Sequence, residues 1–259
     1  MARTIAEKKF SFPLDDPRTA VDVAEAFFDR IGSRPWERDV YLELAEVLAG
    51  CVPVPDECPP GTVDGGMNMI DDAILVYEKL QTDPRWVKEP DNPAYQLKIM
   101  RLLPYKDIPN PDEDIPAARQ VLVERYSETM TDPYTGEEKP NPWWVANRNN
   151  PEALDQVREA IEKSLARVAV QRMQEAEESP DPAAGYRAAA DKFREYLDKF
   201  PIADDFFEKQ WYLGNALMKA APKDPSKPWG PYVEALREFS YLVESRDNHP
   251  YGDGALYML

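Results

Sequence analysis

Histidine is almost missing from this chain, with His249 alone among 259 residues. A nucleophilic triad would have to form around that single imidazole, beside Cys51, Cys58 or a serine, and no spacing in the chain asks for it. Cysteine is nearly as scarce, with Cys51 and Cys58 its only members. Two thiols and one imidazole do not suggest zinc chelation, so no metal site is expected. Glycine is low as well, 11 residues against 26 prolines, which favours stiff helix boundaries over β-hairpins. No run of about 18 apolar residues occurs, so no direct membrane insertion is expected. Met1 to Pro13 lacks an apolar stretch and does not read as a signal peptide.

Positive charge is in the minority: 31 basic residues face 48 acidic ones, a net charge of −17. Such a field repels nucleic acid and anionic lipid, and it favours basic partners or simply a solvated acidic surface. What is present in quantity is apolar and aromatic side chain, 43% and 11% of the chain, enough to bury a core.

The apolar residues recur at helical spacing. Helices are expected from Asp16-Pro17 to about Ile31 and from about Trp36 to Ala49, then from about Met69 to Thr82 and from about Asn92 to Leu103, the last opened by Pro93. A further one is expected from about Pro116 to Met130, and the longest from about Pro151 to Glu178. Helices around Ala189 and Tyr212 follow, then one from Pro231 to Glu244 and a final one from near Gly252 to Leu259. Residues 1 to about 15 read as extended, and no strand-like alternation persists anywhere. Leu48-Ala49-Gly50-Cys51 has the look of a lipid-attachment box, but Arg38, Asp39, Glu43 and Glu46 before it mark an amphipathic helix with Gly50 as its cap. The natural divisions are 1–104, 105–150 (a helix plus a Pro- and Trp-rich insertion) and 151–259.

A repeated pattern occupies the last third. Tyr186, Ala189, Phe193, Tyr196 and Pro201 set a spacing that Tyr232, Ala235, Phe239 and Leu242 reproduce, with Trp211-Tyr212-Leu213-Gly214 between them. Ala73, Tyr77, Leu80 and Pro84 echo it upstream. A small residue where helices cross, with rings one turn away, is how stacked helical hairpins interlock. On these residues the chain resembles the tetratricopeptide repeat (TPR) family. The wording of Tyr186 to Pro201 and of His249 to Tyr257 is similar to bacterial, in particular deltaproteobacterial, cell-envelope members such as gliding-motility or outer-membrane assembly components. The resemblance implies an all-α, right-handed superhelical solenoid of antiparallel helix pairs, here with long Pro-rich connections. It implies a non-catalytic scaffold for a protein or peptide partner, with no cofactor, in the periplasm or cell envelope. Asn215 follows Gly214 as the family's carboxylate-clamp pattern requires, but Trp211 stands where that pattern has lysine. The apolar ending Ala255 to Leu259 is expected to continue into a longer array or to pack end to end against another copy.

Cys51 and Cys58 could close a short loop as a disulfide, adding about 2 kcal/mol and pointing to an oxidising compartment; as free thiols they would fit the cytoplasm. Partner-binding candidates are Trp143, Trp144, Trp211, Tyr212 and Asn215. Trp143 and Trp144, flanked by Pro140 and Pro142, cannot both turn inward from one extended segment, so at least one is expected against a neighbouring helix or a partner, the alternative being that both pack on the long helix from Pro151. Trp211 and Tyr212 serve repeat packing or line a concave face, and Trp229 pins its connection. Asp15-Asp16, Asp71-Asp72 and Asp204-Asp205 stand near helix starts, where carboxylates interact well with the dipole. Gly61-Thr-Val-Asp-Gly65-Gly66 lacks the lysine ending of a phosphate loop. Pro111 to Asp114 lacks the glycine of a calcium loop. The competing readings are an enzyme or metal-dependent unit framed by helices, and a self-assembling solenoid.

Overall fold

A computed structural model describes residues 1–13, 16–50, 69–132, 135–221, 230–245 and 249–259. Cys51, Cys58, the glycines at 61–66, Asp15 and Trp229 lie outside the described residues. Within them the chain forms twelve helices and one two-stranded sheet, so the all-α expectation holds. The chain divides into two compact units, Met1–Arg158 and Glu159–Leu259.

The first unit opens on a helix where an extended start was expected. Here α1 (Ala2–Phe10) buries Ala2, Ile5 and Ala6, an apolar stripe at three-and-four spacing too slight to stand out in sequence. It packs on α2 (Ala20–Ile31) and α3 (Glu37–Ala49). Asp16-Pro17 does not start α2. Thr19 does, as half of a capping box: its hydroxyl accepts from Asp22 N–H at 3.2 Å while its own N–H donates to Asp22 at 2.6 Å. Gly50 ends α3 at a φ of 61°, a left-handed backbone that glycine adopts without steric cost.

Next come α4 (Ile70–Thr82), α5 (Asn92–Leu102) and a 3-10 turn at Leu103–Tyr105. The Asp72 carboxylate, in the first turn of α4, accepts from Ala20 N–H of α2 at 2.6 Å, so α4 caps another helix. The core gathers Tyr41, Leu44, Leu48, Ile70, Tyr77 and Leu80, all essentially without exposure. Rings form a chain through it: Phe28 lies 5.7 Å from Tyr41, and Tyr41 5.4 Å from Trp86.

Between 105 and 150 the structure corrects several expectations. Helix α6 spans Pro111–Tyr126 with Pro116 inside it; the sequence reading began one turn late and ran one turn long. The chain then makes a hairpin, β1 (Thr129–Thr131) with β2 (Glu138–Pro140), antiparallel with Met130 opposite Lys139. Strands this short cannot show an alternating pattern. Gly136, at a φ of 71°, gives its N–H to Asp132 carbonyl at 2.8 Å in the turn. After it, α7 (Pro142–Asn147) is a helix, not an extended segment: Asn141 caps it, accepting from Trp143 N–H at 2.9 Å, and Pro142 takes the first position. Residues 105–150 therefore belong to the first unit and do not stand apart as a separate insertion, because α6 packs on α5 and α7 packs on α6.

The boundary between units falls in α8 (Pro151–Glu178). In the second unit α9 (Pro182–Lys199), α10 (Phe206–Ala220), α11 (Gly230–Glu244) and α12 (Gly252–Met258) pack each on the next. Asp181 caps α9, accepting from Ala184 N–H at 3.1 Å. Its centre is Phe193, Tyr196 and Phe239, none of them with measurable exposure. Gly185 lets α9 approach α8, since a Cβ there would lie 2.8 Å from that of Ala176.

Candidate partner-binding groove

The pair of tryptophans that follows Pro142 leads to a cleft in the first unit. Trp143 and Trp144 are both buried, at 3% and 8% exposure. The helical turn of α7 sends successive side chains about 100° apart, so two neighbours can reach different parts of one interior. The Trp143 indole N–H donates to Glu89 carbonyl at 2.8 Å, and that of Trp144 donates to Tyr126 carbonyl. Their rings meet edge to face 6.3 Å apart, and Tyr126 sits 5.6 Å from Trp143. Arg158 lies over Trp144 at 5.0 Å. Both rings turn into the unit's own interior, which α7 permits because it is a helix and not an extended segment.

What these anchors do is fix the walls of a cleft of about 400 Å³. One wall is the end of α4 and the turn after it, Gln81 to Lys88; the other is the end of α6, Met130 of β1, and Asn141 to Trp143. Asn147 ties α7 to the first wall, donating to Lys88 carbonyl at 2.9 Å. Asn141 ties it to the second, donating to Arg125 carbonyl at 2.7 Å. At the base, the Tyr126 hydroxyl donates to Gln81 at 2.7 Å, and Gln81 donates on to Tyr77 carbonyl at 3.3 Å. Burial pushes the Tyr126 hydroxyl well above its ordinary range, so it stays a neutral donor.

With those polar groups saturated, the cleft offers mainly apolar surface. Val87 and Met130 are each 39% exposed there, beside Pro142 and the edge of Trp143. At its rim stand Lys88 and Arg125, and among the described residues neither is paired with a carboxylate. Glu124 also lines it and accepts from Gln120 at 2.9 Å. Among its lining residues no nucleophile stands beside a base. Val87, Lys88, Arg125 and Met130 were not singled out from sequence. The one available signal was Trp86-Val87, an apolar pair in a connection bounded by Pro84 and Pro90.

The remaining candidates fall in the second unit. Trp211 packs on Phe239 at 5.3 Å and on Tyr251 at 6.3 Å, and Gly254 makes room for it. Tyr212 meets Phe193 at 5.8 Å and gives its hydroxyl to Glu208 at 3.3 Å. Asn215 turns its amide back to Trp211 carbonyl, four residues earlier, at 2.8 Å. All three are half-buried packing positions. Beyond them α11 and α12 expose Val233, Leu236, Leu256 and Tyr257.

His249 is held on both nitrogens. Tyr251 N–H donates to its Nδ1 at 3.2 Å, which leaves Nε2 carrying the proton it gives to Leu242 carbonyl at 3.1 Å. Its ring stacks on Phe207 at 4.2 Å. Among the described residues no group of three or more histidine, cysteine or acidic side chains is placed to hold a metal ion. None of the described helices is long and apolar enough to cross a membrane.

Compared with known proteins, the chain matches no family model and no curated sequence. The reading of its function therefore rests on its own residues.

Proposed function

We propose that the chain is a non-catalytic interaction scaffold built of TPR-like stacked helical hairpins, holding a protein or peptide partner in the cell envelope. The observation that carries it is the seat of Gly214: a Cβ there would lie 2.6 Å from the Phe239 ring. That is the small-against-ring crossing by which repeated hairpins interlock, at the two positions the repeat pattern assigns to it. The packing of α9, α10, α11 and α12 each on the next supports the same reading, as does the packing of α1 on α3 and α2 on α4 in the first unit. A preformed cleft with saturated polar walls and an apolar lining fits binding better than turnover. The envelope as its place rests on the likeness of Tyr186 to Pro201 and His249 to Tyr257.

The test pairs two measurements. Photo-crosslinking of the full chain in an envelope extract should capture a discrete protein, and titration calorimetry with that purified protein should give saturable binding at fixed stoichiometry. In parallel, chromogenic esters, phosphoesters, glycosides and peptides are offered with and without magnesium, zinc and calcium. Turnover that disappears in the His249→Ala variant overturns the scaffold reading.

A further inference from the structure

Two cations, Lys88 and Arg125, line the cleft formed by residues 81–88 and 124–143. In a chain of net charge −17, they have no carboxylate among the described residues. Lysine and arginine elsewhere in this unit are mostly committed: Arg85 to Asp83 and Glu37, Lys79 to Glu25 and Asp83, Lys106 to Asp114. The same cleft is lined by the apolar side chains of Val87, Met130 and Pro142, and Arg125 also bonds the Tyr126 hydroxyl.

We infer that this cleft takes a peptide segment in which an apolar side chain is flanked by side-chain carboxylates, the apolar group resting on Val87 and Met130 and the carboxylates facing Lys88 and Arg125. The inference rests on the scaffold reading and deepens it, because it reverses the sign expected from the overall charge. The acidic surface as a whole favours basic partners, yet the local field at this rim favours an acidic one. Short-range pairing decides there, since salt screens exposed charges beyond roughly 8–10 Å. A volume of about 400 Å³ suits one or two side chains of such a segment and excludes a folded domain. Glu124 also lines the cleft and keeps its negative charge, but the two cations outnumber it.

The experiment selects from a random 12-residue library displayed on phage against the immobilised full chain. The same selection is run on a Lys88→Glu/Arg125→Glu variant and on Met130→Asp. All three positions are exposed, and circular dichroism checks that each variant keeps its helices. The expected result is an enriched acidic-apolar consensus on the unmodified chain. Fluorescence anisotropy with that peptide should show binding at least tenfold weaker on either variant, and weaker again as salt rises. A consensus that is basic or uncharged and binds all three proteins alike overturns the inference while leaving a scaffold that uses another face. An acidic consensus indifferent to the charge reversal overturns it too. Absence of any enrichment also overturns it, and the crosslinking experiment then decides separately whether the chain is a scaffold at all.

Discussion

Gly214 of α10 lies flat against the ring of Phe239 on α11: a Cβ at that position would stand 2.6, 2.9 and 3.0 Å from three of its ring carbons. Phe239 has no measurable exposure and is braced by Trp211 at 5.3 Å. The ring has nowhere to retreat, so the helices approach only because the side chain is missing.

Gly214→Ala should therefore destabilise the second unit. Alanine is the better helix former by about 1 kcal/mol, while forcing a methyl group into a packed crossing costs roughly 1–3 kcal/mol. A net loss of about 1 kcal/mol in urea denaturation is expected. Gly214→Ala/Phe239→Leu should recover part of it, a coupling that a double-mutant cycle isolates. An alanine variant as stable as the parent would mean that this crossing is not tight.

Arg85 governs a second dependence. Its guanidinium bonds Asp83 through two nitrogens at 2.9 and 2.8 Å and reaches Glu37 at 2.9 Å; both carboxylates are buried. The Arg85 hydrogen bonds hold the Asp83 carboxyl far below its ordinary value of 3.8. A depressed carboxyl pKa stabilises the fold above the ordinary value and ceases to do so as pH falls through the depressed one. Removing one partner of a buried pair costs about 3–5 kcal/mol. Arg85 is itself half-exposed, so Arg85→Ala should lose roughly 2 kcal/mol at neutral pH. It should also lose less than the parent between about pH 4 and pH 2, which urea midpoints across that interval would check.

These relationships show what was legible beforehand. Ala189, Phe193, Gly214, Ala235 and Phe239 were readable because helical packing repeats every three or four residues, and the structure buries all of them. Pro93 at the start of α5 and Gly50 at the end of α3 were readable because each carries a backbone rule. The hairpin and α7 were not, since strands of three residues leave no period, and Asn141-Pro142 before two tryptophans fits an extended segment as well as a cap and a first helical turn. The groove was illegible for another reason. Its lining comes from residues 81–88 and 124–143, brought together by the indole bonds of Trp143 and Trp144, and no local pattern announces that meeting.

Glu162 carries the opposite sign to Asp83. Burial pushes its carboxyl above the ordinary 4.5, and the neighbouring Asp205 and Asp204 push it further. Tyr196 donates its hydroxyl to Asp205 in the same cluster. Burial also pushes the Asp205 carboxyl up, but hydrogen bonds from Lys209 and Tyr196 overcome it and leave it below the ordinary value. An acid whose folded pKa is raised favours the fold at low pH, and that favour is lost as pH climbs through the raised value. Glu162→Gln removes the repulsion and keeps a polar partner for Tyr196. It should raise stability at pH 7 by up to about 0.5 kcal/mol, a small figure because solvent screens a half-buried group. The gain should vanish near pH 4. A variant less stable than the parent at pH 7 would show that the Glu162 charge is welcome there.

His249 separates a structural from a catalytic role. With Nδ1 accepting from Tyr251 N–H and Nε2 donating to Leu242 carbonyl, the imidazole joins the last residues of α11 to the first turn of α12, and its stacking on Phe207 at 4.2 Å adds α10. His249→Ala removes two hydrogen bonds and a ring contact, so a loss of about 1–2 kcal/mol is expected. The loss should be local. Hydrogen exchange of the amides at 251 and in α12 should accelerate, because the Tyr251 N–H loses its acceptor, while those of α9 should change little. His249→Asn, which keeps an acceptor near the same place, should restore part of the protection. If exchange is unchanged in both variants, the imidazole is not what closes this junction, and a chemical role for the chain's single histidine becomes the better account of it.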